Sequence, residues 1–215
     1  LELSNFFKLN NKEKDKNYPI LKGRTIINLF FEPSTRTLIS FEIAAKRLGA
    51  DVINMNIESS SLRKGESLHD TAQTLGAMNP DLVVIRHVID DSSKQIAEIV
   101  NCPVINAGEG INEHPTQALL DAYTIINNKR SLENITVAIC GDLEHSRVAR
   151  SNYYLLKKMK SNVRFVFPEF FKPKDLDKYD VKTFTNLEKG ITDADIVMML
   201  RIQNERISDM NLPSK

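Results

Sequence analysis

One short run, Phe31-Glu32-Pro33-Ser34-Thr35-Arg36-Thr37, combines groups suited to hold a phosphate dianion. Pro33 closes an apolar run and Ser34 is a good helix N-cap type. Leu38, Phe41, Ala45 and Leu48 then form a helical stripe. A helix starting here presents backbone N–H groups and the positive end of its dipole. Ser34, Thr35 and Thr37 add hydroxyls, and Arg36 adds a two-pronged cation. The same residues would also suit an ordinary capped helix with a surface arginine, and spacing alone leaves both readings open.

Two further stretches carry polar donors at strand ends. One is Arg86-His87. The other runs from Asn106-Ala107-Gly108-Glu109-Gly110 to His114-Pro115-Thr116-Gln117, with glycines that permit tight turning. His114 and Gln117 are spaced to share one helix face. Taken singly, Arg86 reads as a solvated arginine and His114 as a cap or core group. Three strand ends with donors point instead to one pocket, because ligands of open α/β sheets bind beyond the carboxyl ends of strands.

The elements that must position these residues are legible as alternating apolar runs and amphipathic stretches. Strand candidates are 25–31, 51–55, 81–86 and 103–106, then 135–140, 162–167, 181–185 and 195–200. Runs such as Leu82-Val83-Val84-Ile85 and Ile196-Val197-Met198-Met199 are apolar on both faces, as parallel strands covered on both sides require. Helices are expected at 35–48, 68–78, 92–100, from 116 onward and at 147–160. The fold class is α/β: two doubly wound domains, each with a central parallel sheet flanked by helices. The polar stretch 127–134 places the boundary, giving domains 1–130 and 131–215. The mixed-charge run 10–17 reads as a solvated loop.

With 215 residues, 41% hydrophobic and 27% charged, the chain can build real cores. A net charge of +1 offers no bulk attraction for nucleic acid or a membrane surface. Cys102 and Cys140 are read as buried free thiols. No CxxC, HExxH or Cys/His cluster appears, so no metal is expected. No GxxxxGK[ST] or GxGxxG is present, which argues against a nucleotide site. No apolar stretch approaches membrane-spanning length, and no signal-peptide pattern opens the chain. A reducing cytoplasm fits the thiols. The chain begins at Leu1 rather than Met, as a trimmed chain would.

Phe31–Thr37 together with His114–Gln117 resembles the aspartate/ornithine carbamoyltransferase family. Lys64-Gly65-Glu66-Ser67, Asn106–Gly110 and Gly141-Asp142-Leu143-Glu144-His145-Ser146-Arg147-Val148 point to the catalytic chains of its aspartate-using branch. The resemblance spans Gly23 to about Ile207. It implies transfer of the carbamoyl group of carbamoyl phosphate to L-aspartate, giving N-carbamoyl-L-aspartate and phosphate, in de novo pyrimidine biosynthesis. It implies that Ser34, Thr35, Arg36 and Thr37 hold the phosphate. Arg86, His114 and Thr37 surround the carbonyl oxygen, and Gln117 meets the amide nitrogen. The expected catalytic set is thus Arg36, Thr37, Arg86 and His114. Arg147 binds the aspartate α-carboxylate, and Arg201, with Gln203 behind it, binds the side-chain carboxylate. Lys64 reaches a neighbouring subunit's site in a homotrimer with shared active sites; the role of Ser61 stays open. No cofactor is implied. Neither regulatory chains nor allostery can be read from the sequence.

Two departures stand out. Leu38 replaces an arginine found in many relatives. The chain ends at Lys215, whereas the family continues with a His-Pro-Leu-Pro-like segment, so the second domain is expected to be incomplete and its sheet to lack a last strand. Rival readings are transfer to ornithine, which would need no counterpart of Arg201, and a non-catalytic binding or assembly subunit that keeps the fold.

Overall fold

Apolar runs with inward residues on both faces become two sets of parallel strands in the computed structural model, which describes residues 1–11, 16–56 and 67–203. The chain divides into two compact units, Leu1–Thr116 and Gln117–Lys215.

In the first unit, β1 (Thr25–Phe30), β2 (Asp51–Asn56), β3 (Leu82–His87) and β4 (Val104–Glu109) form a parallel sheet in the order β2-β1-β3-β4. Strand alternation sends Ile27, Leu29, Val83 and Ile85 to one face, where they pack with Ala72 and Leu75 of α3 (Leu68–Ala77) and Ile96 of α4 (Ser92–Ala97). Ile26, Phe30 and Val84 go to the other face, against Ala45, Leu38 and Phe41 of α2 (Thr35–Arg47). Covering both faces explains why these strands lack polar alternation. The chain leaves β1 towards β2 on one side and β3 towards β4 on the other. The carboxyl ends of β1 and β3 therefore flank a topological switch point, where such sheets form a ligand crevice.

The second unit repeats the plan. β5 (Thr136–Cys140), β6 (Asn162–Val166), β7 (Lys182–Phe184) and β8 (Ile196–Met199) are parallel in the order β7-β6-β5-β8. Its switch point lies between β5 and β8. The core joins Val137, Ile139 and Phe165 to Leu156 of α6 (Arg147–Lys158) and to Ala122 and Ile125 of α5 (Pro115–Lys129).

The fold class and every expected strand and helix are present, with ends shifted by a few residues. Differences are local. α1 (Glu2–Asn10) was not anticipated; Phe6 and Phe7 pack edge-on against Tyr18, so Asn10 is helical rather than looped. A short α7 (Leu187–Ile191) was also missed. α5 continues through Lys129, so the start of the polar stretch 127–134 is helix: Asn127 and Asn128 turn back to donate to the carbonyls of Tyr123 and Thr124. The compact units divide inside the first turn of α5, not near 130, because Ala122 and Ile125 belong to the second unit's core. Cys140 is buried as expected, whereas Cys102 is half-buried.

Candidate active-site residues

In the first unit, α2 begins directly beyond β1. Leu38 N donates to Ser34 O, closing the first helical turn and leaving the N–H groups before it without an intrahelical acceptor. Ser34 occupies the N-cap, yet its hydroxyl makes no cap hydrogen bond. The expected cap residue is in place without its expected bond. Arg36 and Thr35 are exposed on this turn.

Arg86 extends from the end of the adjacent strand; Phe30 and Arg86 are in register. Its Nε lies 2.5 Å from Glu32 Oε1, and both side chains are largely shielded. Its Nη1 donates to Thr37 Oγ1 at 3.4 Å and to the Ala107 carbonyl at 3.3 Å. Thr37 and Arg86 are thus brought into contact, while Glu32 pre-orients the guanidinium. Glu32 was part of the quoted motif but drew no role. Neighbouring ends of β1 and β3 were the missing information.

His87 turns inward. Its ring packs 4.4 Å from that of Phe31, and its Nδ1 accepts the Ile89 N–H at 2.9 Å. Burial pushes its pKa below the ordinary value, with Glu32 opposing that shift more weakly. His114 is 7% exposed and its Nδ1 lies 3.4 Å from Thr116 Oγ1. It follows β4, the strand next to β3, and is held by an arched loop in which Glu109 N donates to Glu113 O.

In the second unit, the loop after β5 and the segment after β8 flank the other switch point. Ser146 caps α6 by accepting from Ala149 N at 3.2 Å, which places Arg147, 5% exposed, at the first helical position. Leu200 N bonds to Cys140 O, carrying β8's pairing just past its end. Arg201 Nη2 then donates to Gln203 Oε1 at 3.3 Å, which joins the two residues. Asp142 joins the two segments. Its carboxylate, fully buried, accepts from His145 N at 3.1 Å, lies 2.9 Å from His145 Nδ1 and accepts from Gln203 N at 3.1 Å.

Buried Arg150 donates to the carbonyls of Leu143 and Glu144 and pairs with Asp175, which fixes the same loop from behind. Gln117 Nε2 donates to Asp121 Oδ1 at 2.9 Å, and Asp121 Oδ2 accepts from Asn152 at 2.8 Å. Asp142, Arg150 and Asp121 were missed as positioning groups because each acts between segments distant in sequence. Lys64 and Ser61 lie outside the described residues. Among the described residues no His/Cys/Asp/Glu group is arranged to hold a metal, and no helix is long and apolar enough to cross a membrane.

Residues 1–127 match the family described as "Aspartate/ornithine carbamoyltransferase, carbamoyl-P binding domain". The chain is 55% identical over 213 residues to the aspartate carbamoyltransferase catalytic subunit of Pelagibacter ubique, covering 99% of this chain and 68% of that protein. A crystal structure of aspartate transcarbamoylase from Trypanosoma cruzi, in complex with carbamoyl aspartate and phosphate, superposes with a TM-score of 0.85 at 32% identity. It covers 98% of this chain and 72% of that one. Ornithine carbamoyltransferase from Pyrococcus furiosus superposes with a TM-score of 0.83 at 28% identity, over 95% of this chain and 67% of that one. The chain spans about two thirds of the length of the curated relatives that it matches.

Proposed function

Because the chain belongs to the aspartate/ornithine carbamoyltransferase family, we propose that it transfers the carbamoyl group of carbamoyl phosphate to L-aspartate, yielding N-carbamoyl-L-aspartate and phosphate. The observation that carries the reading is the donor set at the first switch point: the open turn of α2 with Ser34–Thr37, directly beside Arg86. A phosphate needs several donors without competing acids. Here the neighbouring acid, Glu32, is paired with Arg86.

The chemistry follows from these types. The aspartate amine attacks the carbonyl carbon, forming a C–N bond and a tetrahedral oxyanion. Thr37, Arg86 and His114 donate to that oxygen, the kind of preorganised stabilisation that dominates such reactions. Gln117 orients the carbamoyl amide. The C–O bond to phosphate then breaks, the electron pair leaves on the phosphate held by Ser34–Thr37, and the leaving phosphate takes the amine proton. No protein nucleophile or general base is assigned. Arg147 and Arg201 bind the two carboxylates of the acceptor, since a guanidinium fork matches two oxygens at once. Arg201 and Gln203 favour a dicarboxylic acceptor over the cationic side chain of ornithine.

The proposal extends to assembly and setting: a cytoplasmic homotrimer in pyrimidine biosynthesis, with Lys64 completing a neighbour's site. Mixing inactive Lys64→Ala and Arg36→Ala chains after dissociation should restore activity if sites are shared; hybrids that stay inactive while wild-type controls recover would refute sharing. The reading as a whole is tested by thermal unfolding with phosphonoacetyl-L-aspartate, which unites features of both substrates. It should raise the midpoint well above the rise produced by phosphate alone, and equal effects would overturn it.

A further inference from the structure

The loops after β3 and β4 are tied together by two carboxylates acting in opposite directions. Asp90, beyond β3, accepts through one oxygen from Ile111 N at 2.9 Å and from Asn112 N at 3.0 Å. Glu109, at the end of β4 and 5% exposed, accepts through Oε2 from Ser93 N at 2.9 Å, at the start of α4. Between them, Gly110 N donates to His87 O at 3.0 Å. Gly110 has φ of +43°, and a Cβ there would stand 1.8 Å from Asp90 Oδ1. The glycine is required both by its conformation and by the close approach of the carboxylate.

Each loop adjoins one of the donors assigned to the carbonyl oxygen: Arg86 lies near the end of β3, before the first loop, and His114 lies in the second. Arg86 is four residues before Asp90, and His114 is two residues after Asn112. None of the carboxylate bonds involves Ser34–Thr37. We propose that Asp90, together with buried Glu109, is a positioning residue that fixes His114 relative to Arg86. It contributes to recognition of the carbonyl group and not to retention of the phosphate. The inference rests on the functional reading above, in which Arg86 and His114 are the carbonyl donors. Asp90 lies at the surface, so truncating it leaves the cores intact. Its two backbone bonds are nonetheless the ones that hold residues 111 and 112, and small misplacements of a reacting group are costly.

The test is calorimetric titration with phosphonoacetamide, which carries a phosphonate and an amide carbonyl, and with inorganic phosphate. The parent protein should prefer phosphonoacetamide. Asp90→Ala should lower that preference roughly ten-fold, the scale of one or two lost hydrogen bonds, with phosphate affinity unchanged. Asp90→Asn, whose amide oxygen can accept from both N–H groups, should keep most of the preference. Gly110→Ala displaces the same carboxylate from the other side and should reproduce the loss. In turnover, Asp90→Ala should lower kcat by up to about 100-fold with little change in the KM for carbamoyl phosphate. Full preference in Asp90→Ala, or equal loss for both ligands, would overturn the positioning role. A parent protein that does not distinguish the two ligands would instead overturn the functional reading beneath it.

Discussion

Removing the Asp142 carboxylate should damage the acceptor half of the site and the stability of the second unit together. The side chain is fully buried and makes three contacts: to the N–H and ring of His145 and to the N–H of Gln203. Asp142→Ala leaves the buried ends of those N–H groups without their acceptor, at about 1–3 kcal/mol each. Two orphaned donors give a loss on the order of 3 kcal/mol. For a chain of this size that lowers the unfolding midpoint by roughly 6–12 °C. The functional consequence is specific, because Gln203 backs Arg201 and His145 precedes Arg147 by two residues. The KM for aspartate should rise by about ten-fold or more, while carbamoyl phosphate affinity stays within about two-fold, the separation expected when only one ligand's contacts are lost. Asp142→Asn retains an acceptor oxygen and should fall between the two. Scanning calorimetry and initial-rate kinetics with each substrate varied supply the readings. An unchanged midpoint with an unchanged aspartate KM would refute the reasoning.

Further consequences are open to direct measurement. Arg36→Ala should weaken carbamoyl phosphate by about 10- to 100-fold by calorimetry, since a charge-assisted hydrogen bond is worth about 1.5–3 kcal/mol; unchanged affinity would remove Arg36 from the phosphate site. Arg201→Ala should raise the aspartate KM and leave carbamoyl phosphate binding intact, and equal effects on both ligands would argue against its assignment. His87 should make the protein acid-sensitive. Its folded pKa lies below the unfolded value, so the stability from burying it neutral is complete above about pH 6.5 and is lost as pH falls through that value towards the folded pKa. His87→Asn keeps an acceptor for Ile89 N and should flatten that part of the midpoint-against-pH curve; an unchanged curve would contradict the assignment.

The layout of both sheets was legible because strands covered on two faces must be apolar throughout, as Leu82–Ile85 and Ile196–Met199 are. The start of α2 was legible because Pro33, Ser34 and the stripe from Leu38 mark a helix start within one short run. α1 was not, because its Phe6 and Phe7 find their partner in Tyr18 across a polar segment, and no single window shows that pairing. The extent of α5 was hidden by asparagines, which favour loops unless their amides bond back to the preceding turn, as Asn127 and Asn128 do. The positioning carboxylates were the hardest to see. Glu32, Asp90, Asp121 and Asp142 draw no role from the sequence, and only the topology sets Arg86, Ile111, Gln117 and Gln203 against them. Motifs nominate the residues expected to meet substrate, whereas the residues that hold them depend on strand order.

The central claim is the identity of the acceptor and of the transferred group. Carbamoyl phosphate labelled in its carbonyl carbon, incubated with the protein and equal concentrations of L-aspartate and L-ornithine, allows both products to be separated and counted in one reaction. Label should appear in N-carbamoyl-L-aspartate, strongly reduced by Arg36→Ala and abolished by phosphonoacetyl-L-aspartate. Label in citrulline, or none in either product from the protein that carries this chain, would contradict the claim.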